Sequence, residues 1–234
     1  MAERLIEVRD LSKAYGGQPV IEGLSLVLDP GAIVGLIGPS GGGKTTTLRM
    51  FAGLLRPDAG GGHVLGEDVH LPEPRRRRRI GYMGQRLALY PDLTVLENFS
   101  AQAEMFAVPA AHRAIAAVTE RYDLRPLLAR RFGALSAGEA RRVQFAATVL
   151  HAPPLLLLDE PTIGFDAETG HDIWRWLATL AAEGHGVVVS TNNPSEAERC
   201  DTVVLHRDRR ALPQQSPGGL PAAFGGEGFG AVFG

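Results

Sequence analysis

The stretch IVGLIGPSGGGKTTTLRMF, residues 33–51, decides the fold because it joins an apolar run, a glycine-rich loop and a helical pattern. Its centre, GPSGGGKT at residues 38–45, fits the pattern G-x-x-x-x-G-K-[ST]. Glycines let the backbone wrap phosphate groups with its N–H groups pointing inward. We therefore predict a phosphate-binding loop, with Lys44 on the β- and γ-phosphates of a nucleotide and the Thr45 hydroxyl on Mg²⁺. Its candidate binding residues are Gly38, Pro39, Ser40, Gly41, Gly42, Gly43, Lys44, Thr45 and Thr46.

A phosphate-binding loop needs an acidic metal partner on another strand, and PLLLLDE at residues 154–160 supplies one. Asp159 ends an apolar run and is expected to hold Mg²⁺ through water. Glu160 follows it and is expected to polarise the attacking water. Alone, this pattern also fits a helix N-cap pair before Pro161. Together with the loop it favours a site for nucleotide hydrolysis.

The apolar runs along the chain alternate with helical patterns, which predicts an α/β fold with a largely parallel sheet. From Val95 to about Leu150 the pattern is mostly helical, which predicts a helical subdomain inserted into that fold. Predicted strands lie near residues 5–8, 20–28, 32–37, 64–65, 80–83, 155–158, 187–189 and 203–205. Further helices are predicted over residues 44–55 and 167–183.

Composition bounds the function classes. The chain has 234 residues, 44% of them apolar, and a net charge of −2, which argues against a dedicated nucleic-acid binder. Cys200 is the only cysteine, so neither a disulfide framework nor a cysteine-based zinc site is expected within the chain. The start of the chain lacks the apolar region of a signal peptide, and the apolar runs fall short of a bilayer span. We expect a protein that is soluble by itself.

Three other features are assigned structural roles. The basic run Arg75 to Arg79 is interpreted as a solvated loop, with contact to anionic lipid as the weaker alternative. Of Trp174 and Trp176, one is expected to pack and the other to be partly exposed. Residues 213–234 are rich in glycine, proline and alanine and are predicted to be poorly ordered.

The segment ALSAGEARRVQFAATVL, residues 134–150, resembles the signature of ATP-binding-cassette (ABC) ATPases, usually written L-S-G-G-Q. Other motifs follow the order of that family. Tyr15 matches the aromatic residue that stacks on adenine, Gln85 the glutamine of the Q-loop, and Asp166 the aspartate of the D-loop. The resemblance runs from about residue 5 to 212. It implies a single domain over residues 1–212, with a RecA-like P-loop core, an N-terminal antiparallel β part and a helical subdomain at about 86–150.

The resemblance also implies a mechanism with ATP and Mg²⁺. In the family, the signature of one subunit binds the γ-phosphate of the ATP held by the other, so two cassettes form a head-to-tail dimer around two ATP molecules. Ser136 and Gly138 would make that contact here. Gln85 would link the metal, the water and the helical subdomain. The implied catalytic residues are Glu160, Gln85 and Asn192, and the implied metal-site residues are Thr45, Gln85 and Asp159.

Two departures from the family pattern stand out. Ala137 and Glu139 replace residues of the signature, which is expected to weaken it somewhat. In VVVSTNNPSEAERC, residues 187–200, Asn192 stands where the family has a switch histidine. We hypothesise that Asn192 slows hydrolysis and leaves ATP binding largely intact, with Asn193 or a water reducing the loss. The alternative is a regulatory cassette paired with a more active one.

Several classes of cassette compete. About fifty residues separate Gln85 from Leu135, too few for the long coiled coil of DNA-repair members. Translation-factor members usually carry two cassettes, and the signature disfavours a P-loop kinase or GTPase. LYPDLTVLENF, residues 89–99, resembles the transporter segment that receives a helix of the membrane subunit. The resemblance thus favours a transporter motor, of the exporter type rather than the importer type.

This assignment implies partners and a location. The partners are an integral-membrane permease subunit and a second cassette, either the same chain or a paralogue, with no nucleic acid. The implied location is cytoplasmic, at the inner face of the cell membrane.

Overall fold

The architecture is one mixed sheet with helices on both faces. A computed structural model describes residues 3–71, 74–163 and 167–219. Within these residues the strands follow the order β5-β4-β1-β2-β10-β9-β3-β8-β7-β6. The strands are β1 (Ile6–Tyr15), β2 (Gln18–Leu28), β3 (Ile33–Ile37), β4 (Ala59–Val64), β5 (Glu67–Asp68), β6 (Ile80–Met83), β7 (Leu155–Asp159), β8 (Gly186–Thr191), β9 (Thr202–Arg207) and β10 (Arg210–Ala211).

The helices follow the pattern expected from the sequence in most places. They are α1 (Lys44–Phe51), α2 (Pro74–Arg78), α3 (Val95–Met105), α4 (Ala111–Arg121), α5 (Ala137–Val149), α6 (Ala167–Ala182) and α7 (Pro194–Ala197). Helices α3, α4 and α5 lie in the stretch where the sequence predicts a helical subdomain. In the part of the chain that the structure describes, no helix is long and apolar enough to cross a membrane.

The predicted α/β fold is confirmed, and its topology positions the site. Strands β9, β3, β8, β7 and β6 are parallel neighbours, whereas β1 pairs with β2 and β4 in antiparallel fashion. Carboxyl ends of parallel strands meet at one edge of a sheet, and ligands bind there in open α/β folds. The loop after β3, Gln85 after β6, Asp159 and Glu160 at the end of β7, and Asn192 after β8 all lie at that edge.

Both faces of the parallel strands are buried, as their continuous apolar sequences require. Along β7, Leu156 and Leu158 belong to a core with α3, α5 and α6, while Leu155 and Leu157 belong to a second core with α1 and the N-terminal strands. Strand β7 is therefore fixed between two apolar layers, and the carboxylates at its end share that rigidity.

Helix α1 is shorter than predicted. It ends at Phe51 rather than near Leu55, because Gly53 adopts a left-handed backbone with φ of 66° and stops the helix. A side chain there would also collide with its surroundings, since a Cβ on Gly53 would lie 2.5 Å from Nη2 of Arg76.

The basic run is a short helix rather than the loop that the sequence analysis expected, and it is only partly solvated, because Arg77, Arg78 and Arg79 are exposed but Arg76 is not. Residues Pro74–Arg78 form helix α2, and Arg76 is only 1% exposed. Its guanidinium donates to the Asp68 carbonyl at 3.2 Å, and Arg77 donates to the Gly53 carbonyl at 2.5 Å. Carbonyls left free at helix ends and turns attract such donors, which explains the burial.

Two further expectations need correction. Trp174 and Trp176 are both buried, because they pack on the core side of α6. The first residues of the tail predicted to be poorly ordered are held in place. Gln215 forms a two-way backbone pair with Val203, and the Gln214 side chain bonds both backbone groups of Val27. Residues 220–234 of that predicted tail lie outside the described residues.

Candidate functional site

The loop between β3 and α1 lies tightly against β9. Gly38 has φ of 138°, and a Cβ there would lie 2.1 Å from the carbonyl oxygen of His206. The ring Nδ1 of His206 lies 3.0 Å from the Gly42 carbonyl oxygen. Burial lowers the pKa of His206 to about 4, so this imidazole is neutral near pH 7 and its Nδ1–H donates to the loop. The loop conformation is thus fixed from below by a buried side chain.

Lys44 is the buried cation of the site. Its side chain is 4% exposed, and its Nζ donates to the carbonyls of Gly38 at 2.7 Å and Pro39 at 2.9 Å. A carboxylate oxygen of Glu160 lies 3.9 Å from the same nitrogen. Burial lowers the pKa of Lys44, and the carboxylates of Glu160 and Asp159 offset part of that effect. The ammonium group therefore stays close to the place where the sequence predicts phosphate.

The side-chain oxygens of Thr45, Asp159 and Ser190 form a cluster. The Thr45 hydroxyl donates to one carboxylate oxygen of Asp159 at 2.8 Å, and the Ser190 hydroxyl donates to the other at 2.6 Å. Hydroxyl and carboxylate oxygens are the hard ligands that Mg²⁺ prefers, so this set fits the metal. Among the described residues, no group of three or more His, Cys, Asp or Glu could hold a metal by itself. The nucleotide and water would have to supply the other ligands.

Glu160 lies between two cavities at the end of β7. Its backbone is left-handed, with φ of 47°. Its amide N–H donates to both the carbonyl and the hydroxyl oxygen of Ser190, at 3.1 and 3.0 Å. The first cavity, of about 480 Å³, contains the predicted loop, and Gln85 stands exposed on its wall. This cavity is lined by Val20, Ser40, Gly41, Gly42, Gly43, Lys44, Thr45, Thr46, Gln85, Glu160 and Ile163.

The second cavity, of about 250 Å³, places Asn192 beside Glu160. Asn192 is exposed at the end of β8, as the predicted register requires. The side-chain oxygen of Asn193 accepts hydrogen bonds from the amide and the hydroxyl of Ser195 and so caps α7. Below them Glu196 is buried and accepts from the hydroxyl of Thr191 at 2.6 Å.

The signature residues do not join this site within the chain. Ser136 caps α5, and its hydroxyl accepts from the Glu139 amide at 3.3 Å. The Glu139 carboxylate accepts from the Ser136 amide at 2.8 Å and from Arg130 at 2.6 Å. Neither Ser136 nor Gly138 lines either cavity. The glutamate that departs from the family pattern therefore completes a capping box at the start of the signature helix.

Tyr15, the predicted adenine-stacking residue, does not line either cavity. Tyr15 is 46% exposed at the end of β1, and the Lys13 ammonium lies 5.9 Å from the centre of its ring. Its ring is accessible to a planar ligand. Asp166 lies outside the described residues.

The sequence analysis missed Arg141, which is 5% exposed and donates to main-chain carbonyls of both Gln85 and Glu160, at 2.7 and 3.0 Å. It also gave no role to Ser190 or His206. A usable signal existed for Arg141, because it is the one charged residue among the buried residues of α5. For Ser190 the signal was a hydroxyl at the end of a buried strand.

Comparison with known proteins agrees with this geometry. Residues 21–163 match the family described as ABC transporter. The chain is 36% identical over 233 residues to a probable multidrug ABC transporter ATP-binding protein, YbhF, of Escherichia coli (strain K12), covering 98% of this chain and 40% of that relative. The chain thus spans less than half of that protein's length.

A second relative is covered more completely. The Nod factor export ATP-binding protein I of Paraburkholderia xenovorans (strain LB400) is 38% identical over 230 residues, which are 95% of this chain and 74% of that one. Among solved structures, an ATP-binding subunit of an ABC transporter superposes with a TM-score of 0.86 at 30% identity, over 96% of this chain and 95% of the other. The chain belongs to the family of ABC transporter ATP-binding proteins.

Proposed function

We propose that this chain is the ATP-hydrolysing motor subunit of a membrane transporter and works as one of two cassettes that enclose ATP between them. One observation carries the proposal. The phosphate loop, Asp159, Glu160 and Gln85 meet at one edge of the sheet, and the signature residue Ser136 stands outside that site. Because the signature segment of the same chain does not reach this site, a second cassette would have to provide the signature residues that complete it.

Binding would use the loop and the buried cation. Backbone N–H groups at the start of α1 would donate to the phosphates, and Lys44 would exchange its two loop carbonyls for phosphate oxygens. Tyr15 would stack on the adenine. Thr45, Asp159 and Gln85 would hold Mg²⁺, which when bound neutralises charge on the phosphate oxygens.

The chemical step would depend on Glu160. Its carboxylate would accept a proton from water as the water oxygen attacks the γ-phosphorus. The bond between that phosphorus and the oxygen of the β-phosphate would break, giving ADP and inorganic phosphate. Ser190 and Arg141 hold the backbone of Glu160 on both sides, so the carboxylate would keep its position during this step.

The second cassette would complete each site. Ser136 and Gly138 at the start of α5 would contact the γ-phosphate of the ATP held by the partner, where the helix N-terminus favours negative charge. Asp166 would lie at the same interface. Release of phosphate would then separate the two cassettes.

The names of the relatives support a proposal about the class of transporter. Two of them carry names of export or multidrug proteins, and we assign this chain to the export class on that similarity. The partner would be an integral-membrane permease, which would hold the cassette at the cytoplasmic face of the membrane.

Hydrolysis by the purified chain tests this proposal. Steady-state phosphate release from ATP with Mg²⁺ is measured for wild type, for Glu160→Gln and for Glu183→Gln, an exposed carboxylate at the end of α6. We expect Glu160→Gln to lose activity by roughly 10²–10⁴-fold, as expected for loss of a general base. Glu183→Gln should match wild type. Equal activity in all three proteins would contradict the proposal.

A further inference from the structure

The guanidinium of Arg141 is buried and donates all of its hydrogen bonds to main-chain carbonyls. Its Nη1 donates to the carbonyls of Gly84 at 3.1 Å and Gln85 at 2.7 Å. Its Nη2 donates to those of Glu160 at 3.0 Å and Asp159 at 3.5 Å. Its Nε donates to the Pro161 carbonyl at 3.4 Å. All three guanidinium nitrogens are used, and a planar fork of this kind fixes the relative position of the groups it binds.

These carbonyls belong to two separate loops. Gly84 and Gln85 follow β6, whereas Asp159 and Glu160 end β7. The two strands are neighbours, but beyond their ends no backbone pairing between them is present in the described residues. The Arg141 guanidinium therefore holds the Q-loop and the catalytic glutamate at a fixed separation.

Glu160 needs such support because its backbone is strained. A left-handed φ of 47° is unfavourable in a residue other than glycine, because its Cβ crowds the backbone. Such a conformation persists only where the surroundings determine it fully. The Ser190 carbonyl and hydroxyl hold the amide of Glu160, and Arg141 holds its carbonyl.

Arg141 also belongs to the helix that begins with the signature. Ser136 is the N-cap of α5, and Arg141 lies in the second turn of the same helix. A rigid displacement of α5 along or about its axis would move the guanidinium with it. The carbonyls of Gln85 and Glu160 would then have to follow or lose their hydrogen bonds.

We propose that Arg141 is a positioning residue that couples the two ATP sites of the dimer. Phosphate bound at the start of α5 belongs to the partner's ATP, and Arg141 transmits the resulting helix position to Gln85 and Glu160 of its own site. This inference rests on the proposed function, since it requires two cassettes. Hydrolysis at one site then depends on whether the other site is filled, and the coupling is reciprocal for binding.

Arg142 provides a matched control on the same helix. Its guanidinium has different partners, lying 5.8 Å from the ring centre of Trp176 and 3.8 Å from the Asp172 carboxylate of α6. Arg141→Met and Arg142→Met remove the same charge from neighbouring positions. Arg141→Lys keeps the charge but lacks the fork.

The test measures three quantities for each variant, namely ATP affinity in Glu160→Gln background, kcat, and the dependence of rate on ATP concentration. We expect Arg141→Met to keep the affinity, because the described contacts of Arg141 do not include the phosphate loop. Its kcat should fall about 100-fold, as expected for a misplaced catalytic group, and the rate should lose its cooperativity in ATP. Arg141→Lys should recover part of both, and Arg142→Met should resemble wild type.

Other outcomes would overturn the inference. Wild-type kcat and cooperativity in Arg141→Met would show that the fork is dispensable. An equal loss of ATP affinity and kcat in both Arg141 variants would show a purely structural role. If the methionine variant fails to fold, the kcat and cooperativity of Arg141→Lys provide the test. If wild-type hydrolysis does not depend on Glu160, the proposed function itself fails, which is a separate result.

Discussion

Asn192 stands where the family resemblance predicts a switch histidine. It is exposed at the end of β8 and lines the cavity that also contains Glu160. An amide can donate a hydrogen bond to a phosphate oxygen, but it cannot take up a proton. Its neighbour Asn193 lines the same cavity, but it is also an amide that cannot take up a proton, and its side-chain oxygen caps α7. We therefore expect a functional cassette whose rate is limited at this position.

The variant Asn192→His should raise kcat with little change in ATP affinity. Loss of a proton-handling group typically costs roughly 10²–10⁴-fold, so restoring one should give a rise of at least about tenfold. Steady-state hydrolysis measures it, and Asn193→His is the control one residue away. An unchanged kcat in Asn192→His would show that this position does not limit the rate.

His206 makes stability depend on pH in a defined direction. Burial lowers its pKa from 6.5 to about 4, so between these values the unfolded chain binds a proton that the folded chain does not. The free energy of unfolding therefore falls as pH decreases through that window. The contribution of His206 is about 2 kcal/mol between pH 7.5 and pH 5.

Urea unfolding of wild type and His206→Gln at these two pH values checks this expectation. The variant should lose less stability on acidification, because glutamine does not titrate but can still donate to the Gly42 carbonyl. A pH dependence identical in both proteins would contradict the assignment of a neutral buried imidazole.

At the level of elements, the end of α1 is fixed by the arginine run. Gly53 stops the helix, and Arg76 and Arg77 approach its backbone from α2. Helix α1 begins at the phosphate loop, so α2 contributes to holding the loop from the far end of the helix. This contact explains why Arg76 is buried, although its position in a basic run predicts exposure.

Replacing Gly53 by alanine tests this contact. The new Cβ would lie 2.5 Å from Arg76 Nη2 in a left-handed backbone, so we expect a loss of about 1–3 kcal/mol. Gly170→Ala is the control, because it lies within α6 and its Cβ would meet nothing within 4 Å. That change should be neutral or gain up to about 1 kcal/mol. Thermal unfolding measures both, and equal effects would contradict the packing described for Arg76.

Elements differ in how well the sequence predicts them. The strands β3, β7 and β8 were predicted within one or two residues, because continuous apolar runs bounded by polar residues define buried strands. Helix α5 lies in the stretch from Val95 to about Leu150 that the residue pattern predicted to be mostly helical. The short helix α2 was missed. The burial of Arg76 within it depends on contacts made only in the folded chain, such as its hydrogen bond to the Asp68 carbonyl.

The same limit applies to the site. Lys44, Thr45, Asp159 and Glu160 were predicted because each stands in a fixed position relative to a strand end. Arg141 was not, because its role depends on two loops that only the folded sheet brings together. Sequence patterns identify groups that contact a ligand more readily than groups that hold those residues in place.

At the scale of the molecule, the start of the signature helix stands apart from the phosphate loop. The phosphate loop, Asp159 and Glu160 lie together, whereas Ser136 caps a helix outside their cavity. We propose that a second copy of this chain, in head-to-tail orientation, supplies the signature contact to each of two ATP molecules. Association should therefore require ATP and should persist when hydrolysis is blocked.

The most direct measurement is the mass of Glu160→Gln in solution by light scattering, with and without ATP and Mg²⁺. The proposal predicts a monomer without nucleotide and a doubling of mass with ATP. Adding Ser136→Arg should reduce that doubling, because a bulky side chain would obstruct the start of α5. A Glu160→Gln protein that binds ATP but stays monomeric at every protein concentration would contradict the claim that two copies of this chain enclose ATP.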